Sequence, residues 1–251
     1  MEKILAILPC YNEEKNIRDL VNAWLNETDK LGQKGYELYI LVIDDKSTDS
    51  TKAIVEKLAG QNERVILIAH EKNTGLGGAI STGFRYFLDE FRSGDICFVM
   101  DGDNTHDPKY AAALLDKLEQ GFDCTIASRY LQGSDVVGVP GYRNFLSLGA
   151  KFYYKLLLPI PSVKDYTCGY RAYTYDILRR SFNLYGDSII TQNSFACMME
   201  ILYKLYKSGA EFSEVPFILR YDFKQGKSKL SVMKTIKSSI ITAFKLRLGI
   251  I

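Results

Sequence analysis

The feature that most constrains the fold is a regular alternation of short apolar segments with amphipathic ones through the first half of the chain. Short apolar runs predict buried strands, and segments whose apolar residues recur every three or four positions predict helices. The predicted strands are residues 3–8, 36–43, 64–69, 96–100 and 124–127, and the predicted helices are residues 12–31, 48–58, 75–91 and 108–118. This order predicts a Rossmann-like α/β fold with a mostly parallel central sheet and helices on both faces. Asn12 can cap the first helix. Further along, residues 189–208 and the tail from 231 onward are predicted to be helical from their apolar periodicity, and residues 212–221 are a predicted strand that Pro216 favours at an edge.

Polar residues follow the predicted strands at the sheet edge where parallel sheets bind their ligands, beyond the carboxyl ends of the strands. These groups are Pro9-Cys10-Tyr11-Asn12-Glu13, Asp44-Asp45, Asp101-Gly102-Asp103 and Ser128-Arg129. Their shared position predicts one ligand site and weighs more than any single motif.

Asp101-Gly102-Asp103 is the strongest of these groups, because it directly follows the apolar run 96–100. Two carboxylates so close together can share a hard cation, and Mg²⁺ or Mn²⁺ can bridge such oxygen ligands to phosphate. Gly102 allows a sharp turn and a close ligand. The alternative is an Asp-Gly turn with solvated carboxylates, but the position after a strand favours a metal site.

Three further features have a functional and a structural interpretation. Asp44 can accept hydrogen bonds from a base or a ribose, and its strand-end position favours this over a helix-start cluster in which Asp44 and Asp45 cap a helix. Residues 73–78 (NTGLGG) resemble a phosphate-binding loop, yet they lack its Lys-Ser/Thr pair, and a tight turn with close helix packing explains them equally well. The guanidinium of Arg129 or Arg171 could pair with phosphate, and the strand-end position favours Arg129.

Composition excludes several classes of protein. The formal net charge of +2 gives no reason to expect a nucleic-acid partner. Five cysteines without a CxxC motif predict buried free thiols, and two histidines cannot form a multi-histidine metal site. No signal peptide and no membrane-spanning segment is expected. The chain is therefore either soluble or lies on a membrane surface, and the free thiols indicate a reducing compartment.

The motifs LPCYNEE, VIDDKSTDST, NTGLGGAISTGF, VMDGDNTHDP, ASRY and DYTCGYRAY resemble, in order, those of the inverting family-two glycosyltransferases of GT-A fold. The stretches PGYRNFLSLGAKFYYKLLLPIP and GKSKL are similar to the interface helix and basic loop of the polyprenyl-phosphate branch, typified by dolichyl-phosphate mannose synthase. The resemblance implies a GT-A domain over residues 1–230, with an interface helix at about 140–160. A basic amphipathic helix would follow at 231–251.

The resemblance also implies roles for individual residues. A nucleotide-sugar donor, GDP- or UDP-linked, would have its base and ribose lined by Pro9, Tyr11, Glu13, Val42 and Asp44. Asp101, Gly102 and Asp103 would hold its diphosphate and a divalent metal, Mg²⁺ or Mn²⁺, with Asp101 and Asp103 as ligands. Arg129, Arg143 and Lys229 would approach the diphosphate or the acceptor phosphate, and the expected catalytic residues are Asp103, Arg129 and Lys229. In the polyprenyl-phosphate branch a glutamine, two residues after the metal motif, helps to hold the metal; Thr105, a poorer metal ligand, replaces it here.

The absence of a general base from the expected position indicates which class of acceptor the enzyme uses. A sugar hydroxyl needs a general base, and saccharide-acceptor relatives supply a Glu-Asp pair where this chain has Thr191-Gln192-Asn193. A lipid phosphate is already anionic and needs cations to position it, such as Arg143, Lys151 and Lys155 on one helical stripe. Basic amphipathic segments here and in the C-terminal tail predict binding to a membrane surface.

The sequence and this resemblance together predict an inverting, metal-dependent glycosyltransferase that moves a sugar from a nucleotide-sugar to a polyprenyl or dolichyl phosphate. The protein is expected in the cytoplasm, peripheral on the cytoplasmic face of a membrane. The main alternative is a cytosolic glycosyltransferase with a saccharide or cell-wall acceptor, and a free carboxylate from Asp165, Asp187 or Glu200 would favour it. Two less favoured hypotheses are a nucleotidyltransferase and a non-catalytic nucleotide-sugar binder. The oligomeric state is not predicted.

Overall fold

A computed structural model describes residues 1–138, 149, 152–225 and 232–250, without the side chains of 232–237. Its main sheet has seven strands in the order β3-β2-β1-β4-β7-β5-β8, and β6 and β9 form a separate parallel pair. The strands are β1 (Glu2–Cys10), β2 (Tyr36–Asp44), β3 (Val65–Ala69), β4 (Ile96–Val99), β5 (Cys124–Ser128), β6 (Asp135–Val137), β7 (Arg171–Thr174), β8 (Phe212–Pro216) and β9 (Ile218–Arg220). The helices are α1 (Ile17–Asn26), α2 (Thr28–Gln33), α3 (Thr51–Gln61), α4 (Gly75–Glu90), α5 (Ala111–Glu119), α6 (152–157), α7 (Tyr175–Tyr185), α8 (Ala196–Lys207) and α9 (Val232–Arg247).

The centre of the sheet is apolar on both faces, as expected for parallel strands covered by helices. β1 lies between β2 and β4 and is parallel to both, and residues 4–8 of β1 are fully buried. Trp24 of α1 packs edge-on against Phe98 of β4, with ring centroids 5.6 Å apart. The expected α/β class with a mostly parallel sheet is confirmed.

One strand runs against the others and was not predicted as such. β7 is inserted between β4 and β5 and is antiparallel to both. Its first residue, Arg171, therefore lies at the edge where β4 and β5 end. The loop before it, residues 165–170, is brought to the same edge as Asp101 and Arg129.

Three predicted elements differ from the structure. The helix expected over 12–31 is divided into α1 and α2, and Asn12 does not cap it, because Asn12 has a φ of 56° and its amide N–H bonds the hydroxyl of Ser47. The helix expected over 189–208 begins only at Ala196, because the N–H groups of residues 191 and 192 bond the Glu200 carboxylate instead. The strand expected over 212–221 is two strands, β8 and β9, and β8 with Pro216 is an edge strand as predicted.

The C-terminal tail forms a helix, as predicted from its apolar periodicity, and α9 packs against α8. The ring of Tyr153 in α6 lies 6.2 Å from that of Phe244 in α9, and the Tyr153 hydroxyl donates to the carbonyl of Ile240. α6 and α9 are therefore neighbours. Most of the interface helix expected at 140–160 and the loop 226–230 lie outside the described residues, and the proposed division at residue 230 stays a prediction.

Candidate active site

The polar groups predicted to meet at the carboxyl edge of the sheet lie on either side of the end of β1. Asp44 is in register with Cys10, at the end of β1. On the other side of β1, a Cβ added to Gly102 would lie 2.4 Å from the Cys10 sulfur and 2.8 Å from the Pro9 carbonyl oxygen. Only glycine permits this approach, so the metal motif is held against the end of β1. One strand, or about 10 Å, separates it from Asp44.

Asp101 and Asp103 form an interacting pair of carboxyl groups. Removal from solvent and the neighbouring charge of Asp103 raise the pKa of Asp101 to about 7. A Cβ at Gly169, in the loop before β7, would come within 2.7 Å of an Asp101 carboxylate oxygen, so glycine is needed there too. The pair is enclosed from two sides and is electrostatically unfavourable when both groups are ionised without a cation.

A lysine that the sequence reasoning missed supplies a cation to this pair. The Lys224 Nζ lies 2.5 Å from Oδ2 of Asp103, while the Thr105 hydroxyl donates to Oδ1 at 2.7 Å. Burial would raise the pKa of Asp103, but the ammonium of Lys224 and the Thr105 hydroxyl outweigh it and lower that pKa below its ordinary value. Thr105, expected to be a poorer metal ligand than glutamine, thus orients Asp103.

Arg129 directly follows β5, as predicted, and it forms a bidentate salt bridge with Asp165. Its Nε and one terminal nitrogen donate to the two carboxylate oxygens of Asp165 at 2.8 and 2.6 Å, and the same terminal nitrogen donates to the Thr167 hydroxyl. The positive charge of Arg129 still acts on Asp101. Asp165 and Thr167 therefore fix the direction in which Arg129 presents its charge to the site.

The two adjacent aspartates after β2 have different roles. Asp45 accepts hydrogen bonds from the N–H groups of Thr74 and Gly75 at 2.8 and 2.7 Å, so it caps α4. Asp44 is 2% exposed, and its Oδ1 has no hydrogen-bond partner within the described part of the chain. A buried carboxylate oxygen needs a donor, which fits the prediction that Asp44 receives a hydrogen bond from a ligand.

The glycine-rich start of α4 serves packing rather than phosphate binding. A Cβ on Gly75 would lie 2.3 Å from the Asn193 carbonyl oxygen, and a Cβ on Gly77 would lie 1.9 Å from that of Gln192. Both contacts are with the segment before α8. The structural interpretation of residues 73–78 therefore explains both glycines.

The three carboxylates that would favour a saccharide acceptor are each engaged. Asp165 is fully buried and paired with Arg129. Asp187 is exposed and paired with Arg85. Glu200 is fully buried, 2.6 Å from the Nζ of Lys204, and accepts three hydrogen bonds from Thr191 and Gln192.

The carboxylate pair also fits a divalent metal by its chemistry. Within the described ranges no group of three or more His, Cys, Asp or Glu side chains could hold a metal ion. Two carboxylates suffice for Mg²⁺, which commonly takes its remaining ligands from water and substrate phosphates. Lys224 shows that the pair already attracts a cation.

The other predicted residues are placed as follows. Pro9 and Val42 are buried in β1 and β2, Tyr11 is 40% exposed, and the charge of Glu13 acts on Asp101. Their contacts with a nucleotide stay predictions. Arg143 and Lys229 lie outside the described residues.

Comparison with known proteins agrees with this geometry. A polyprenol monophosphomannose synthase of Mycolicibacterium smegmatis is 31% identical over 231 residues, which cover 92% of this chain and 82% of that protein. A dolichol-phosphate mannosyltransferase of Pyrococcus furiosus is 33% identical over 230 residues, which cover 91% of this chain and 59% of that longer protein.

Among solved structures, the glucosyl-3-phosphoglycerate synthase of Mycobacterium tuberculosis in complex with Mn²⁺, uridine diphosphate and glucosyl-3-phosphoglycerate is similar, with a TM-score of 0.69. The match covers 99% of this chain and 80% of that one at 19% identity, and it supports the expected GT-A fold. Residues 5–182 match the glycosyl transferase family 2 domain. Together with the strand-end carboxylates, these matches show that the chain belongs to glycosyl transferase family 2.

Proposed function

We propose that this glycosyltransferase moves a sugar, with inversion, from a nucleotide-sugar to a polyprenyl phosphate at a membrane surface. The names of the two relatives described above support this acceptor class. The observation that carries the proposal is that Asp165, Asp187 and Glu200 are each held in an ion pair. A phosphate nucleophile needs no such base, whereas a sugar hydroxyl does.

In the donor half of the site, Asp101 and Asp103 would hold a divalent metal, Mg²⁺ or Mn²⁺. Such a metal stabilises the negative charge that grows on a departing nucleoside diphosphate. Arg129, fixed by Asp165, would add charge compensation from the end of β5. Asp44, with its unpartnered oxygen, would receive a hydrogen bond from the ribose or base.

In the acceptor half, the lipid phosphate oxygen would attack the anomeric carbon in line with the leaving diphosphate. One C–O bond forms as the other breaks, so the anomeric configuration inverts. The expected cations for the acceptor phosphate are Arg143 and Lys229. The buried Glu200–Lys204 pair would keep residues 191–193 in place without contributing a base.

Membrane contact is proposed through the joined helices α6 and α9. They expose large apolar side chains: Phe152 (66%), Leu156 (80%), Ile241 (46%) and Phe244 (50%), and Leu248 (70%) is exposed just after α9. Basic residues are exposed beside them: Lys155, Lys245 and Arg247. None of the described helices is both long and apolar enough to cross a bilayer. An apolar face with a basic border suits the surface of an anionic membrane.

The proposal is tested by incubating the enzyme with labelled GDP- and UDP-sugars, polyprenyl phosphate and Mn²⁺, and by extracting the lipid product. We expect one sugar to be transferred, and transfer to stop in EDTA and in Asp103→Asn. Lys109→Met removes an exposed charge outside the carboxylate pair and serves as the matched surface control. Equal turnover in EDTA, or equal turnover by Asp103→Asn, would contradict the proposed donor site.

A further inference from the structure

Residues 221–225, here called the strap, cross the carboxylate pair and are tied down on both sides of it. Just before the strap, the N–H of Arg220 donates to the carbonyl of Thr105 at 2.9 Å. At the far end, the side chain of Asn16 exchanges two hydrogen bonds with the backbone of Gln225, at 2.9 and 3.1 Å. Asn16 is only 2% exposed. The two ties fix the strap over the metal motif.

Lys224 is the strap residue that enters the site. Its side chain is 14% exposed and that of Asp103 is 17% exposed, so their 2.5 Å ion pair is largely shielded from water. Oδ1 of Asp103 is already used by the hydroxyl and N–H of Thr105. Lys224 thus takes Oδ2, the oxygen that Thr105 leaves available.

A divalent metal and this ammonium cannot both be held closely by the same oxygen without strong repulsion, because like charges a few ångströms apart repel each other in a partly desolvated site. Binding of a metal to Asp101 and Asp103 therefore requires Lys224 to move. Tyr221, at the start of the strap, packs against the core, whereas Phe223, next to Lys224, is 46% exposed. The end of the strap that carries Lys224 is therefore held mainly by the hydrogen bonds of Gln225 to Asn16.

We propose that Lys224 is the resident cation of the carboxylate pair, and that it exchanges with the metal on Asp103 when the donor binds. The inference rests on the proposed function for the identity of the donor. Once displaced, the ammonium stays on the strap and is available to the donor diphosphate. Lys224 is thereby a positioning residue: it keeps the pair neutralised before binding and closes the strap on the donor afterwards.

The exchange predicts that Lys224 weakens metal binding in the absence of donor. Free Mn²⁺ can be titrated by electron paramagnetic resonance with the wild type, Lys224→Met and Lys109→Met. We expect Lys224→Met to bind Mn²⁺ about tenfold more tightly, the factor that one charge-assisted hydrogen bond contributes. Lys109→Met loses the same charge from a residue paired with Asp107, and its affinity should change little.

A second variant weakens the attachment of the strap without removing the charge of Lys224. Asn16→Ala removes the tie at residue 225 and leaves every charge in place, so it should also tighten Mn²⁺ binding, by about three- to tenfold, since two hydrogen bonds of roughly 0.7 kcal/mol each are lost. Circular dichroism and thermal unfolding confirm that the variant is folded. Unchanged affinity in Asn16→Ala would contradict a role for the strap.

The movement itself can be observed by lysine-selective acetylation and peptide mass spectrometry. Lys224 should react faster when Mn²⁺ alone is added, while Lys204, buried with Glu200, should stay unreactive. Equal Mn²⁺ affinity of wild type and Lys224→Met, or equal tightening in Lys109→Met, would overturn the exchange. Absence of Mn²⁺ binding in all variants even with nucleoside diphosphate would instead overturn the proposed metal site.

Discussion

The buried pair of Glu200 and Lys204 gives a direct test of what the acceptor side of the site is built for. Both side chains are essentially inaccessible, at 0% and 2% exposure, and their charged atoms are 2.6 Å apart. Glu200 also accepts from the N–H groups of Thr191 and Gln192 and from the Thr191 hydroxyl. Its oxygens are thus occupied by four donors, and its role is to hold the segment before α8.

Glu200→Gln should therefore destabilise the fold. The variant leaves the Lys204 ammonium buried without its counter-charge, and removing one partner of such a pair costs about 3–5 kcal/mol. The new amide nitrogen would also face N–H donors instead of acceptors. The double variant Glu200→Gln/Lys204→Met removes the unpaired charge as well, so it should lose less stability than the two single variants added together.

Glu200→Gln, Lys204→Met and the double variant are unfolded in urea, and their free energies of unfolding are compared provided that the dependence on urea concentration (the m value) is the same. Turnover is then measured per folded molecule. We expect Glu200→Gln to lose about 3–5 kcal/mol while kcat falls by less than about tenfold, since a general base contributes about 10²–10⁴-fold. Unchanged stability with a thousandfold loss of kcat would mean that Glu200 is a base, and the reasoning about the acceptor would be wrong.

Three further predictions concern other parts of the structure. Burial opposes ionisation of Asp165, but pairing with Arg129 holds its pKa below the ordinary 3.8. The stabilisation from this ionised carboxylate is therefore complete above pH 3.8 and is lost as the pH falls towards the pKa in the folded state. Asp165→Asn should weaken the fall of the thermal unfolding temperature with decreasing pH in this range. Gly77→Ala should cost about 1–3 kcal/mol because its Cβ meets a carbonyl oxygen, whereas Gly60→Ala, at an open helical position, should gain about 0.5–1 kcal/mol in the same urea assay. Phe244→Glu should reduce co-sedimentation with anionic vesicles several-fold, and Leu184→Glu, at an exposed apolar residue of α7, should not; equal binding by both would contradict the proposed membrane face.

The grouping of the carboxylates in the proposed donor site was largely predictable from the sequence, because it depends on residues that directly follow the strands. Asp101 and Asp103 directly follow an apolar strand, and Asp44 ends another, so the rule for parallel sheets places them at one edge. Gly102 was expected to make room for a ligand, but the space beside it is taken by Cys10 and the Pro9 carbonyl, so the glycine is needed for packing against β1.

The remaining features depend on contacts between distant segments. Asn16 and Gln225 are 209 residues apart in sequence, and Lys224 and Asp103 are 121 apart, so no local pattern indicates the strap. The signal that could have suggested Lys224 was a lysine just before the basic loop 226–230, but lysines on loops are ordinarily solvated. The antiparallel direction of β7 was equally hidden, because an apolar strand pattern carries no direction.

The same limit explains the ambiguous motifs. The glycines at 75 and 77 fit a phosphate loop or a tight helix contact equally well until the carbonyls of Gln192 and Asn193 are located. Asp44 and Asp45 are adjacent and chemically identical in sequence, and only the position of the α4 N–H groups assigns capping to Asp45.

In the proposed mechanism the acceptor attacks as an anion, without a general base from the protein. The decisive experiment compares polyprenyl phosphate with the matching polyprenol, at equal concentration, with the same nucleotide-sugar and Mn²⁺. We expect rapid transfer to the phosphate, with inversion at the anomeric carbon, and at least about a hundredfold slower transfer to the alcohol, since general base catalysis contributes about 10²–10⁴-fold. Comparable rates for the two acceptors would contradict this mechanism.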